Sequence, residues 1–180
     1  MRSRQPKLLA GEELMNYAVR VLGGRALSSG EMRQKLLRKA ENAAEIDGVL
    51  SRLKDLGYLN DKRFADSYAA ARLENQGFGK MRVLRDLRQR RVAPAVAEKA
   101  VQQVFEETDE VALIESFLER KFRGRDLAAT LADEKKLASA YRRLRLAGFG
   151  AGNSIRVLKR YAARAAELED AEPPEDSSGN

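Results

Sequence analysis

The 180-residue chain contains neither cysteine nor histidine, which removes disulfides, thiolate nucleophiles, imidazole bases and nearly every zinc or transition-metal site, and leaves only carboxylates, lysines and hydroxyls for any catalysis. Aromatic residues make up 6% of the chain and charged residues 34%, a composition that suits many thin helices better than one thick core. The net charge of +7 is unevenly spread: six of the 27 acids lie between Ala165 and Asn180, where there is no Lys or Arg, so the rest holds 34 basic against 21 acidic residues, or +13.

Residues 1–11 are basic, with a proline and no acid, and predict a flexible arm. From residue 12 the apolar spacing turns helical, with Leu14, Ala18, Val21 and Leu22 on one face until Gly23-Gly24. Ser28-Ser29-Gly30-Glu31 has capping-box spacing and predicts a second helix to about Ala40, with Met32, Leu36 and Ala40 inward. Asn42 and Glu45 repeat the device for a third helix, which would bury Ile46, Val49, Leu50, Leu53 and Leu56 and stop at Gly57.

Gly57, Tyr58, Leu59, Asn60 and Asp61 form a joint. Gly57 can take the left-handed conformation that closes a helix. Asn60 can cap the next one, and Asp61 places negative charge at its positive end. Leu59 and Phe64 then occupy the two positions of a hydrophobic staple. Tyr58, Phe64 and Tyr68 are expected to be structural, holding the flanking helices at a set angle; an ordinary helical turn is the alternative.

A fourth helix from Asp61 to near Gly77 would bury Phe64, Ala65, Tyr68 and Ala71. A fifth, from Gly79 to about Arg91, has Val83, Leu84 and Leu87 inward, Arg82, Arg85 and Gln89 outward, and Arg88 on the flank. Pro94 fits the first turn of a sixth, with Val96, Ala100, Val101 and Val104 inward. Met32 and Leu36 align with Val83 and Leu87 at an offset of 51 residues, and Ala140 and Leu144 align with the same pair at 57. The third copy consists of helices at 111–122, 135–147 and 154–163, with a longer loop at 123–133 that holds one helical turn. The predicted fold is therefore all-α, an elongated array of three tandem three-helix repeats over 12–59, 60–106 and 107–163, followed by an acidic disordered tail over 164–180. A single irregular helical bundle is the competing architecture.

Gly57-Tyr58-Leu59-Asn60-Asp61, two residues, then Phe64-Ala65, followed by Gly77-Phe78-Gly79 and Val83-Leu84-Arg85-Asp86-Leu87, resembles the RecX family, small bacterial regulators of the RecA recombinase. The resemblance covers roughly residues 12 to 163 and is strongest from Gly57 to Leu87. It implies three-helix repeats and a partner, the RecA nucleoprotein filament, whose activity the chain would restrain. Ser154-Ile155-Arg156-Val157-Leu158 departs from the expected spacing by about one residue, and the acidic tail lies outside the resemblance.

The glycines at 77 and 79, and those at 148, 150 and 152, follow no strand and precede no Gly-Lys-Ser/Thr, so they read as helix stops and not as a phosphate loop. Acid pairs such as Glu106-Glu107 and Asp109-Glu110 sit where a helix start wants negative charge. The basic helix faces carry more information. The second helix of each repeat turns outward Lys35 and Arg38, then Arg82, Arg85 and Arg88, then Arg142, Arg143 and Arg145. Such a stripe can pair with phosphates or with an acidic protein surface, or stand simply solvated. No aromatics are interleaved with these arginines in sequence, which argues against a platform for single-strand bases.

The resemblance implies a non-enzymatic regulator that binds the RecA filament; the composition and basic faces predict no cofactor, no metal, and weak contact with single- or double-stranded DNA without sequence preference. The alternative is a helix-turn-helix-like protein that places the 82–91 helix in the major groove. The absence of any apolar run near 18 residues, and of a secretory signal pattern, predicts a cytoplasmic protein with no membrane partner, and a monomer is expected.

Overall fold

Ala, Leu, Arg, Lys and Glu dominate the sequence, and the computed structural model is helical wherever it is regular. It describes residues 8–162 together with Ala165 and Ala166. The first seven residues of the expected arm, the end of the last expected helix, and the acidic tail beyond Ala166 lie outside the described residues.

The elements are α1 (Gly11–Gly24), α2 (Ser29–Leu37), α3 (Glu45–Asp55), α4 (Asp61–Gln76), α5 (Lys80–Gln89), α6 (Pro94–Val104), α7 (Glu110–Lys121), α8 (Leu127–Leu131), α9 (Glu134–Leu146) and α10 (Ala151–Leu158). Among the described residues there is no β-strand; one isolated parallel bridge joins Leu9 to Ala40. The chain divides into two compact units, unit 1 (Met1–Tyr68 with Asp86–Ala100) and unit 2 (Ala69–Arg85 with Val101–Asn180).

In unit 1, the core is built from one face each of α1, α2 and α3, including Leu14, Met32, Leu36, Ile46 and Leu53, all within 1% of full burial. Ser28 starts α2 with a complete capping box, its hydroxyl accepting from the Glu31 backbone N–H while the Glu31 carboxylate accepts from the Ser28 N–H. The helix stops at Leu37, earlier than the apolar spacing predicts, because Leu9 donates its N–H to the Lys39 carbonyl at 2.7 Å and accepts from Glu41 at 2.9 Å. Those bonds pair the residues on either side of Ala40 with Leu9 in place of a further helical turn.

The capping box expected at Asn42 and Glu45 does not form. Asn42 Oδ1 accepts from Ala44 N at 2.9 Å, while the Glu45 carboxylate accepts from Gly11 N and so satisfies a donor at the start of α1. Leu56, expected inward, is 55% exposed. In α4 the buried alanines are Ala65 and Ala69, and Ala71 is exposed, so the inward face is rotated from the one read in the sequence.

Unit 2 packs α7, α9 and α10 around Phe149, which is fully buried and meets Phe117 edge to face at 5.5 Å. Aspartates begin three helices in succession: Asp109 caps α7, Asp126 caps the short α8, and Asp133 caps α9. Glu110 reaches instead to the start of α10, accepting from Gly150 N and the Asn153 side chain. That helix begins three residues before Ser154, and its buried Ile155, Val157 and Leu158 fix the register.

Candidate partner-binding surface

In unit 2 the first turn of α5 is tied to the last turn of α9. Gly79 N donates to the Ala147 carbonyl at 2.8 Å and Met81 N to the Gly148 carbonyl at 3.1 Å, so donors left open at one helix start meet acceptors left open at another helix end. A Cβ on Gly79 would overlap the Gly148 carbonyl, and only glycine permits this approach. The tie sets Arg82 beside α9. The result is a concavity of about 280 Å³ lined by Arg82, Lys121 and Arg143 together with Phe78, Phe117 and Leu146, with no acid in its lining. The Arg82 guanidinium lies 5.4 Å from the centre of the Phe78 ring and Lys121 Nζ 5.6 Å from that of Phe117. Cations held over ring faces keep their charge and gain from the ring quadrupole.

Of the other basic residues singled out in the sequence, Arg142 is exposed on α9, like Arg143, and Arg85 is half-buried on α5. Arg145 does not belong to an open surface, since its guanidinium donates to the Phe149 carbonyl at 2.6 Å and closes the end of its own helix. In unit 1, Lys35 is half-buried, Arg38 is exposed at the end of α2, and Arg88 is ion-paired with Glu98 at 3.3 Å. Lys121 and Phe117 come from α7, outside the helices expected to carry the basic face. The only hint of them in the sequence is the pair Arg120-Lys121 between Phe117 and Phe122.

The joint in unit 1 lies between α3 and α4. Gly57 has φ of 74°, Asn60 Oδ1 accepts from Arg63 N at 2.9 Å, and Leu59 is 3% exposed. Asp61 Oδ1 accepts from Ser29 N, so it serves α2 as well as its own helix. Phe64 and Tyr68 are half-buried and stack at 6.0 Å. The Tyr68 hydroxyl donates to the buried Asp86 at 3.3 Å. Arg90 lies over the Tyr68 ring at 4.7 Å and pairs with Glu31. Burial opposes its charge, but bonding to Tyr68 and the nearby Glu31 and Asp86 carboxylates outweigh that, so the guanidinium is held above its ordinary value. Tyr58 differs from its neighbours: it is 52% exposed and holds no core.

Comparison with known proteins identifies the family. Residues 15–53 match the family model for the first three-helix domain of RecX, and residues 60–101 that for the second. The regulatory protein RecX of Deinococcus radiodurans is 34% identical over 153 residues, covering 83% of this chain and 69% of that protein. The chain belongs to the RecX family. RecX proteins form a non-enzymatic regulatory family. The RecX protein of Halorhodospira halophila is 31% identical, over 92% of this chain and 95% of its own length, so the likeness extends beyond the two matched domains. The crystal structure of RecX from Lactobacillus salivarius shares the fold with a TM-score of 0.62 at 19% identity, over 83% of this chain and 95% of that one. Among the described residues no helix is long and apolar enough to cross a membrane.

Proposed function

We propose that the chain binds the RecA nucleoprotein filament in the cytoplasm and restrains its ATP hydrolysis, strand exchange and growth, acting as a monomer built of tandem three-helix repeats. The observation that carries this reading is the 34% identity to a RecX regulator along 83% of the chain. The acid-free hollow around Arg82, Lys121 and Arg143, with Arg142 exposed on the same helix as Arg143, supplies a surface of the right sign for phosphates or acidic side chains. The rival reading, a recognition helix over residues 82–91, is weakened by the engagement of Arg88 with Glu98 and of Arg90 with Tyr68 and Glu31. A base-reading helix needs those side chains free.

The test is RecA ATP hydrolysis on single-stranded DNA with increasing amounts of the chain, which should fall. The double variant Arg142→Glu and Arg143→Glu changes exposed side chains only, so its stability should stay within about 0.5 kcal/mol. It should lose most of the restraint, most strongly at low salt where screening is weakest. Unchanged hydrolysis at an excess of the wild-type chain would sink the RecA reading. Full restraint by the folded double variant would move the contact away from α9.

A further inference from the structure

Unit 1 holds a second concavity, of about 460 Å³, whose lining includes Arg25, Arg63 and Arg90 and the rings of Tyr58, Phe64 and Tyr68. We propose that it is a subsite for one unpaired nucleotide of a single-stranded nucleic acid, with the base stacked on Tyr58 and the phosphate held by Arg63 and Arg25.

The charge of the cleft is unbalanced. Arg25 and Arg90 share a single carboxylate, Glu31, at 3.5 and 3.3 Å. Arg63 donates to the Gly57 carbonyl at 3.1 Å and meets no carboxylate among the described residues. Of the nearby acids, Asp61 accepts from Ser29 N and Asp66 pairs with Lys62, while Asp86 accepts from the Tyr68 hydroxyl and acts on Arg90. Three guanidiniums therefore face the cleft against the two carboxylates of Glu31 and Asp86, and guanidinium is the side chain that grips phosphate bidentately.

The second argument is how Tyr58 is held. Helix α3 closes in a Schellman motif, in which Gly57 N donates to the Lys54 carbonyl at 2.9 Å and Tyr58 N to the Leu53 carbonyl at 2.9 Å. The same pair of bonds closes α5, where Arg91 N donates to Arg88 and Val92 N to Leu87, and α9, where Gly148 N donates to Arg145 and Phe149 N to Leu144. At those two closures the residue in the position of Tyr58 is buried, Val92 at 3% and Phe149 at 0% exposure, as the hydrophobic contact of this motif predicts. Only at Tyr58 is the ring turned outward, at 52%. Its backbone is fixed by the two bonds, so stacking on the ring has only the two side-chain torsions left to order.

An acidic peptide would use the arginines and leave the exposed ring without a role. An unpaired base offers Tyr58 a π-face and carries its own phosphate, whereas a duplex hides the faces of its bases. The interleaving of rings and guanidiniums that the sequence lacks arises in space, from residues 25–27, 58–68 and 90.

The test needs no RecA, so its failure is separable from failure of the filament reading. Binding of the full chain to labelled oligothymidylate is followed by anisotropy, beside a sugar-phosphate strand of equal length without bases, a blunt duplex, a thymidine mononucleotide and oligoglutamate. Tyr58→Ala should weaken oligothymidylate binding by roughly 5- to 150-fold, the range expected for loss of one base–aromatic stack, and leave the abasic strand unaffected. Tyr58→Phe should keep binding, and Arg63→Ala should weaken both strands. Circular dichroism of each variant checks the fold. Equal binding of oligothymidylate and abasic strand would reduce the cleft to a phosphate contact and overturn the proposal. So would oligoglutamate competing as well as oligothymidylate, which would point to an acidic protein, or the mononucleotide saturating as readily as the strand, which would point to a free nucleotide.

Discussion

Arg91 sits in the left-handed region with φ of 58°, at the position that Gly57 and Gly148 fill in the other two Schellman closures. A Cβ in that conformation crowds the following carbonyl, and glycine there avoids roughly 1 kcal/mol of strain, less what its freer unfolded chain returns. Arg91→Gly should therefore raise stability by about 0.5 kcal/mol in urea unfolding; a loss would show that the arginine side chain holds something in place. Phe64 makes a different point. Its place after Asn60 predicts a staple, and full burial of such a ring would make Phe64→Ala cost about 3–5 kcal/mol. The ring is only half-buried and stacks on Tyr68 at 6.0 Å, so the expected loss is about 2 kcal/mol, read from the urea midpoint at unchanged m-value. A loss above 4 would mean that the ring is buried in solution.

Helix ends in both units are joined to other helix ends. In unit 1 the Ser28 hydroxyl donates to the Arg90 carbonyl at the end of α5, and a Cβ on Gly30 would overlap Arg91. In unit 2 the start of α5 is tied in the same way to the end of α9 through Gly79 and Gly148. Positive and negative dipole ends face one another, and backbone groups that would need water find partners. Gly79→Ala would push apart two backbones that cannot yield and should lower stability by about 1–3 kcal/mol. Gly48→Ala is the control: that glycine lies inside α3 with nothing within 4 Å of its added Cβ, and the change should raise stability by about 0.5–1 kcal/mol. A Gly79→Ala chain that melts with the wild type would mean that the joint is loose. Devices completed within a few residues, such as the Ser28 and Asn60 caps and the Gly57 closure, were legible in the sequence. Those that depend on distant chain were not: Glu45 is drawn from its own helix to Gly11, Arg145 is drawn to Phe149, and the hollow beside Arg82 takes Lys121 and Phe117 from a helix with no basic face of its own.

Charge divides the molecule more sharply than structure does. Outside the segment from Ala165 to Asn180 the chain carries +13, and that segment carries six acids and no base. Polyanion binding to such a body weakens with salt, and each phosphate neutralised on duplex DNA contributes about 0.9 to the slope of log affinity against log salt. The acidic segment, on the same chain, is expected to compete for those cations, since a short tether gives an effective concentration of about the millimolar range. Its removal should tighten binding to bare DNA and steepen the salt dependence. The cut matters, because Ala165 is fully buried in the core of unit 2 and a truncation before it would confound charge with packing. A chain ending at Ala166 removes all six acids and keeps that contact. Its affinity for single-stranded and duplex DNA, measured against the full chain from low to physiological salt, should exceed the wild-type value at low salt and converge with it as screening shortens the reach of the tail to about 8 Å. Equal affinities at low salt would show that the acids do not meet the basic faces, and the regulation of this surface would then have to come from the partner alone.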